Sequence, residues 1–381
     1  MPHVKPDRIP FASPPFDFVF FVRPGITHPV INTPGQLDEL LPRLRDAAWL
    51  AIDTEADSLH SYPEKLCLVQ LSLPGDTVLV DPLAGLALEP FWDILRDREL
   101  ILHGADYDLR LLYRTAGLVP KSVFDTMLAA RVLGIREFGL HHLVASFLGV
   151  RLEKGAQKAN WSLRPLTPRM TAYALEDSRH LKPLSDALRT RLAEVGRLEW
   201  HAQMCAQLIE DSTRPRTTTA DDLWRIKGAD KLDRRGLGIL REGWLWRDRE
   251  AIASNRPPFF VLAHDTLLGL AIRAAAGMDW EALMPRRYSP RRRAGLEEAI
   301  RRGLALPEAA LPEPKRHRSH RLTSVQRDRL EDLRRRRDAA AERLALDPSL
   351  IASKADLSQL AVDPRAGEGG VLPWQRQLLA D

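Results

Sequence analysis

Asp53 and Glu55 stand two residues apart at the end of Trp49-Leu50-Ala51-Ile52-Asp53-Thr54-Glu55. The apolar start of this run reads as a short buried strand. Side chains alternate along a strand, so Ala51, Asp53 and Glu55 share one face and Leu50 and Ile52 the other. Two carboxylates side by side on an apolar strand are costly unless something positive sits between them. Hard divalent cations take oxygen ligands and meet that need. The plainer alternative is a solvated Asp-Thr-Glu turn at a strand end.

Two later stretches supply further acids. In Leu102-His103-Gly104-Ala105-Asp106-Tyr107-Asp108-Leu109-Arg110-Leu111-Leu112 a strand ends at His103 and a helix begins near Asp108. Asp108 is favoured over Asp106 because Leu109, Leu111 and Leu112 follow it with a helical apolar pattern. A helix N-cap is the alternative reading of Asp108. In Tyr173-Ala174-Leu175-Glu176-Asp177 the Tyr and the Asp are four apart, one turn from each other on one helix face. There the alternative is a surface carboxylate beside a half-buried Tyr. Glu176 faces elsewhere and reads as solvated. Asp125-Thr126 reads as a helix cap, and His103 as structural or supporting.

The elements that must position these side chains follow in order. Thr33-Pro34-Gly35-Gln36 starts a helix, with Thr as cap and Pro at the first position. Strands are expected at 66–73, 77–81, 100–103 and 122–124, with Pro74-Gly75-Asp76 as a turn. The strands at 49–55, 66–73 and 77–81 are close enough for an antiparallel meander. Helices are expected at 90–95, 108–113, 127–133 and 140–148, and one long helix from Thr167 to about Val195. Early strands followed by strand–helix alternation indicate a mixed sheet covered by helices. Beyond residue 212 strand signals largely vanish, and helices are expected at 220–226, 233–253, 265–276, 290–302 and 323–344.

The chain has 381 residues, 44% hydrophobic and 28% charged. That composition suits a soluble globular protein of two or three domains. No apolar run is long enough to span a bilayer. Phe16 to Val22 reads as a first strand and not as a signal peptide. Cys67 and Cys205, the 2 cysteines, sit in apolar contexts, read as buried free thiols and fit a cytoplasmic setting. No Cys/His spacing suggests zinc. Residues 1–212 hold 23 basic and 27 acidic side chains, a balance of −4, against 33 and 24, or +9, in the remainder. An acidic first part and a basic second part suit a metal site joined to a polyanion-binding region, or two ordinary solvated surfaces.

Taken together, Asp-x-Glu on a strand, an Asp after a later strand and Tyr-x-x-x-Asp on a late helix resemble the DEDD exonuclease superfamily, in its Tyr-containing subgroup. Ile52-Asp53-Thr54-Glu55, Leu68-Val69-Gln70-Leu71, the 103–112 stretch, Phe124-Asp125-Thr126 and Trp161-Ser162-Leu163-Arg164-Pro165-Leu166 narrow the resemblance to ribonuclease D over residues 30–205. Leu223-Trp224-Arg225-Ile226-Lys227-Gly228, Leu237-Gly238-Ile239-Leu240 and Pro257 to Leu262 look like the helical HRDC module. Leu333 to Leu379 looks like a second, more divergent copy. The resemblance implies an α/β ribonuclease H-like mixed sheet flanked by helices, followed by one or two all-α HRDC-type bundles. It divides the chain into an N-terminal strand or extension (1–29), the 3′-5′ exonuclease domain (30–205), an HRDC domain (213–305), a basic Pro-rich linker (306–320) and a divergent HRDC-like domain (321–381).

The same resemblance implies hydrolysis of RNA from the 3′ end with two divalent cations, Mg²⁺ or Mn²⁺. Two metals about 3.5–4 Å apart clamp the phosphate, activate a water and neutralise the leaving oxygen. By position in the motifs, Asp53 bridges both metals, Glu55 and Asp177 complete the site of the attacking water, and Asp108 holds the second metal. Tyr173 orients the water, since a Tyr with an ordinary pKa is a poor base at neutral pH. RNA is the expected partner, tRNA precursors above all, for a monomer with no membrane partner. DNA is the alternative substrate, and a scaffold with an inactive site the alternative of another class. No P-loop is present, so the chain is not a helicase. Trp161 and Arg164 are candidates for RNA contact or for packing. Arg286, Arg287, Arg291, Arg292, Arg293, Lys315, Arg316 and Arg318 are candidates for phosphate contact, and Arg334 to Arg337 read as a solvated helix face.

Overall fold

A computed structural model describes residues 30–153, 155–214, 220–315, 322–364 and 370–380. The strand expected over 16–22 and the side chains of Arg316 and Arg318 lie outside the described residues. Six strands form one mixed sheet: β1 (Val30–Ile31), β2 (Leu50–Ala56), β3 (Leu66–Leu73), β4 (Asp76–Val80), β5 (Glu99–Leu102) and β6 (Ser122–Asp125), in the order β1-β4-β3-β2-β5-β6. β3 and β4 are antiparallel about the turn at Gly75, with Val69 opposite Val80 and Leu73 opposite Asp76. β5 runs parallel to both β2 and β6. Every residue of β3 is buried, as expected of a strand covered on both faces.

The helices around the sheet are α1 (Pro34–Asp46), α2 (Glu89–Arg96), α3 (Asp106–Ala116), α4 (Thr126–Val132), α5 (Leu140–Leu148), α6 (Pro168–Arg179), α7 (Leu181–Glu194) and α8 (Leu198–Thr213). α1 starts with a capping box in which Thr33 and Gln36 satisfy each other's backbone N–H, and it buries Leu37, Leu40, Leu41 and Leu44. The single helix expected over 167–195 is two. α6 and α7 meet at His180, and Pro183 lies in the first turn of α7. A proline has no N–H to return to the carbonyl one turn earlier, so the first helix cannot run through it.

The rest of the described chain is helical: α9 (Ala220–Leu223), α10 (Arg234–Ser254), α11 (Pro258–Val261), α12 (His264–Ala275), α13 (Pro290–Ala305), α14 (Ser324–Leu344), α15 (Pro348–Ile351), α16 (Lys354–Val362) and α17 (Pro373–Ala380). None of the described helices is long and apolar enough to cross a membrane. Contacts divide the chain into two units. Of the described residues, one holds those within 30–55, 66–213 and 322–380, the other those within 56–65 and 214–315.

In the first unit the sheet face bearing Ala51, Ile101 and Phe124 shares one hydrophobic cluster with α7 and with Ala340, Ile351 and Trp374 of the last helices. Trp200 of α8 stacks on Trp374 with ring centroids 4.7 Å apart. Arg197 donates to the carbonyls of Val132 and Leu344 at 2.8 and 3.0 Å. In the second unit Trp224, Leu240, Leu267, Leu270, Leu296 and Ile300 form the core. The segment 56–65 belongs to it: Tyr62 packs on that core, and its hydroxyl donates to Asp248 at 2.6 Å. Part of the Pro-rich stretch also packs here, with Leu311 buried and Arg234 bonded to Glu308 at 2.9 Å. Cys67 and Cys205 are buried and not disulfide-bonded.

Candidate active site

β2 lies between β3 and β5 and carries Asp53 and Glu55. Ala51 pairs with Ile101 of β5, so the chain leaves β5 level with the acids of β2. Gly104 makes the turn there at φ 69°, a left-handed conformation that favours glycine. Asp125 holds this turn. Its carboxylate accepts from the N–H groups of Gly104 and Ala105 at 3.0 and 2.8 Å, and it caps α4 through Met127 and Leu128 at 2.8 and 3.1 Å. Thr126 links β6 back to Leu102 O at 3.0 Å and bonds His103 Nδ1 at 2.9 Å. Asp125 is thus the cap its sequence suggests, with a second task in positioning the start of α3.

That positioning selects between the two acids of α3. Asp106 is half exposed and takes a fork of hydrogen bonds from Arg110, the closest at 2.5 Å. Asp108, the third residue of α3, is buried and accepts a hydrogen bond from Thr54 Oγ1 at 2.5 Å. Thr54 lies between Asp53 and Glu55, so Asp108 is the acid that joins β2. It is not the helix cap, since α3 begins at Asp106.

α6 brings Asp177, also buried, against the same strands. Ser178 Oγ bonds Ser72 Oγ on β3 at 2.9 Å, and Ser72 bonds Thr77 on β4 at 2.9 Å. This buried hydroxyl chain fixes the helix on the sheet. One turn before Asp177, the Tyr173 hydroxyl donates to the Asp177 carboxylate. The Tyr173 ring lies 6.2 Å from that of Trp161, centroid to centroid, and against the backbone of Gly155. A Cβ at Gly155 would meet Tyr173 Cδ2 at 2.1 Å. Glu176 points away, to Arg179 at 2.6 Å and His180 at 3.0 Å.

The four carboxylates act on one another. Burial raises Asp53 well above the ordinary carboxylate range, and Asp108 and Asp177 push it further. Glu55 is pushed up to about 9 by burial and then by Asp53, Asp177 and Asp108. Burial also raises Asp108 and Asp177 to about 6, against the hydrogen bonds that each receives. Tyr173 is raised as well, by burial and then by Asp177 and Glu55, so its hydroxyl stays protonated at neutral pH. Among the described residues no three His, Cys, Asp or Glu side chains are already placed to hold a metal ion together. A divalent cation among these acids would relieve the repulsion that helps to raise Asp53 and Glu55. All four offer oxygen, the donor that hard cations take, so the set fits Mg²⁺ or Mn²⁺.

The other sequence candidates are buried or have partners of their own. Trp161 is fully buried. The Arg164 guanidinium binds Asp81 at 2.5 and 2.6 Å and the carbonyls of Trp161 and Cys67 at 2.7 Å each. Arg291 and Arg292 bond Glu250, and Arg293 pairs with Glu297 at 3.8 Å. The positioning residues Thr54 and Gly155 carry no motif signal of their own, since a Thr between two acids and a Gly in a loop are unremarkable types.

The 3′-5′ exonuclease family matches residues 29–193. Ribonuclease D of Gluconacetobacter diazotrophicus is 34% identical over 94% of this chain and 92% of its own. Ribonuclease D of Acidiphilium cryptum is 32% identical over 94% and 93%. A solved protein from Bifidobacterium adolescentis superposes with a TM-score of 0.77 at 26% identity, over 92% of this chain and 94% of that one. The Escherichia coli RNase D structure gives 0.70 at 24% identity, over 93% and 99%, a likeness of fold.

Proposed function

The chain belongs to the ribonuclease D family, and from that premise we propose that it trims structured RNA precursors, tRNA above all, with divalent cations held by Asp53, Glu55, Asp108 and Asp177. Its activity is that of a 3′-5′ exoribonuclease. What supports the metal part of this reading is that β2, α3 and α6 bring four acids together, with Asp108 and Asp177 buried and Asp108 tied to β2 through Thr54, so that burial raises all four.

Bound cations would supply charge neutralisation at the phosphate and a water acidic enough to attack it. The chain's own residues do the rest. Thr54 and the Asp125-held turn fix Asp108, so one carboxylate is aimed before substrate arrives. Tyr173 keeps its proton and stands beside Asp177, which suits it to orient the attacking water as a donor and not to remove its proton. A tRNA precursor with extra 3′ nucleotides tests the substrate: the reading expects shortening one nucleotide at a time to the mature end. A precursor left intact while an unstructured RNA is degraded would contradict it.

A further inference from the structure

Several basic side chains of the second unit are occupied. Arg291 and Arg292 both bond Glu250, and Arg302 bonds Glu298 and Glu242. A guanidinium held by a carboxylate has little left for phosphate. Arg256, just past the end of α10, is different. It is exposed, and its side chain has no ion pair or hydrogen bond among the described residues.

Three and four residues beyond Arg256 stand Phe259 and Phe260, 47% and 64% exposed, with ring centroids 4.5 Å apart. Their backbone is pinned. Arg256 N–H bonds Ala251 O and Phe260 N–H bonds Pro257 O, each at 3.0 Å, while Pro257, Val261 and Leu262 are buried. Much of these two neighbouring aromatic rings stays in water. Their flat faces suit bases splayed out of a single strand, and the free guanidinium of Arg256 suits its phosphates. Paired bases present no such faces.

Resting on the exoribonuclease reading, we infer that Phe259 and Phe260, with Arg256 just before them in the chain, form a stacking site for unpaired bases of the RNA substrate, 5′ of the end being cut. The site takes base faces without regard to base identity, so it adds affinity and not sequence preference.

The test is binding of an unpaired oligoribonucleotide of about 20 nucleotides by fluorescence anisotropy, with Asp53→Asn in every protein to keep the RNA intact. Phe259→Ala/Phe260→Ala is expected to weaken binding about tenfold or more, with an unchanged melting temperature. Phe260→Trp is expected to keep it. Arg256→Gln is expected to flatten the log Kd against log salt slope by about 0.7, one phosphate contact. A double Phe variant that binds as tightly as its parent overturns the inference. So does a face that proves, by sedimentation, to hold a second copy of the chain, with RNA affinity unmoved. Digestion of a trinucleotide by proteins with Asp53 intact is read separately. It should be equal in all variants, and its failure in the unsubstituted protein would strike the exoribonuclease reading alone.

Discussion

Thr54 Oγ1 donates to Asp108 Oδ1 at 2.5 Å in buried surroundings, tying the strand that bears Asp53 and Glu55 to the first turn of α3. Thr54→Val keeps the shape and removes the donor. A hydrogen bond to a charged group contributes about 1.5–3 kcal/mol, and each 1.4 kcal/mol is about tenfold in rate. The expected fall in kcat/KM on an oligoribonucleotide is about 10–100-fold, with the fold intact by circular dichroism. Unchanged kcat/KM would mean that Asp108 needs no such support.

Tyr173 is held between Trp161 and the backbone of Gly155, where a Cβ would meet the ring at 2.1 Å. Gly155→Ala should therefore turn the ring and misplace the hydroxyl. Its kcat should fall about as far as that of Tyr173→Phe, on the order of 100-fold. The double variant should lose little more than either single one. Additive losses would show that Gly155 acts on something other than Tyr173.

These two positions mark the limit of what the sequence discloses. Asp53, Glu55, Asp108, Tyr173 and Asp177 announce themselves because acids on apolar elements are conspicuous and because the helical four-residue spacing is regular. The sheet was legible for the same reason: β3 is a run of apolar residues with no other plausible setting. Thr54 and Gly155 matter through contacts across long sequence distances, and nothing in their type shows it. The break at His180 was hidden by continuous helical periodicity, although Pro183 was its visible cause. The fate of Arg164, spent on Asp81, required knowing what lay opposite it.

The raised carboxylates make the metal-free protein sensitive to pH in a definite direction. A carboxyl whose folded pKa lies above its unfolded one favours folding while protonated and loses that contribution as pH rises. Asp108 and Asp177 lose theirs between about 4 and about 6, and Glu55 between about 4.5 and about 9. In EDTA the melting temperature should fall from pH 5 to pH 8 more steeply than in Asp53→Asn, whose cluster carries one charge fewer. The rise in melting temperature on adding Mg²⁺ should be larger at pH 8 than at pH 5. Equal rises at both values would speak against cations binding to these acids.

Trp374 in α17 stacks on Trp200 and belongs to the cluster that also contains Ala51 and Phe124. Loss of a buried Trp costs about 3–5 kcal/mol. Trp374→Ala should therefore shift the urea midpoint of the exonuclease core, followed by near-UV circular dichroism. A separate, earlier transition that leaves the core's midpoint unchanged would show the last helices to be energetically independent.

The central claim is that one cluster of acids performs metal-dependent removal of nucleotides from RNA 3′ ends. The most direct measurement is digestion of a 5′-labelled oligoribonucleotide bearing a 3′-OH, with Mg²⁺, with Mn²⁺ and with EDTA, beside Asp177→Ala and a matched DNA strand. The account predicts a descending ladder on RNA that disappears in EDTA and in the variant. A ladder that persists in EDTA or in Asp177→Ala, or one confined to DNA, would contradict it.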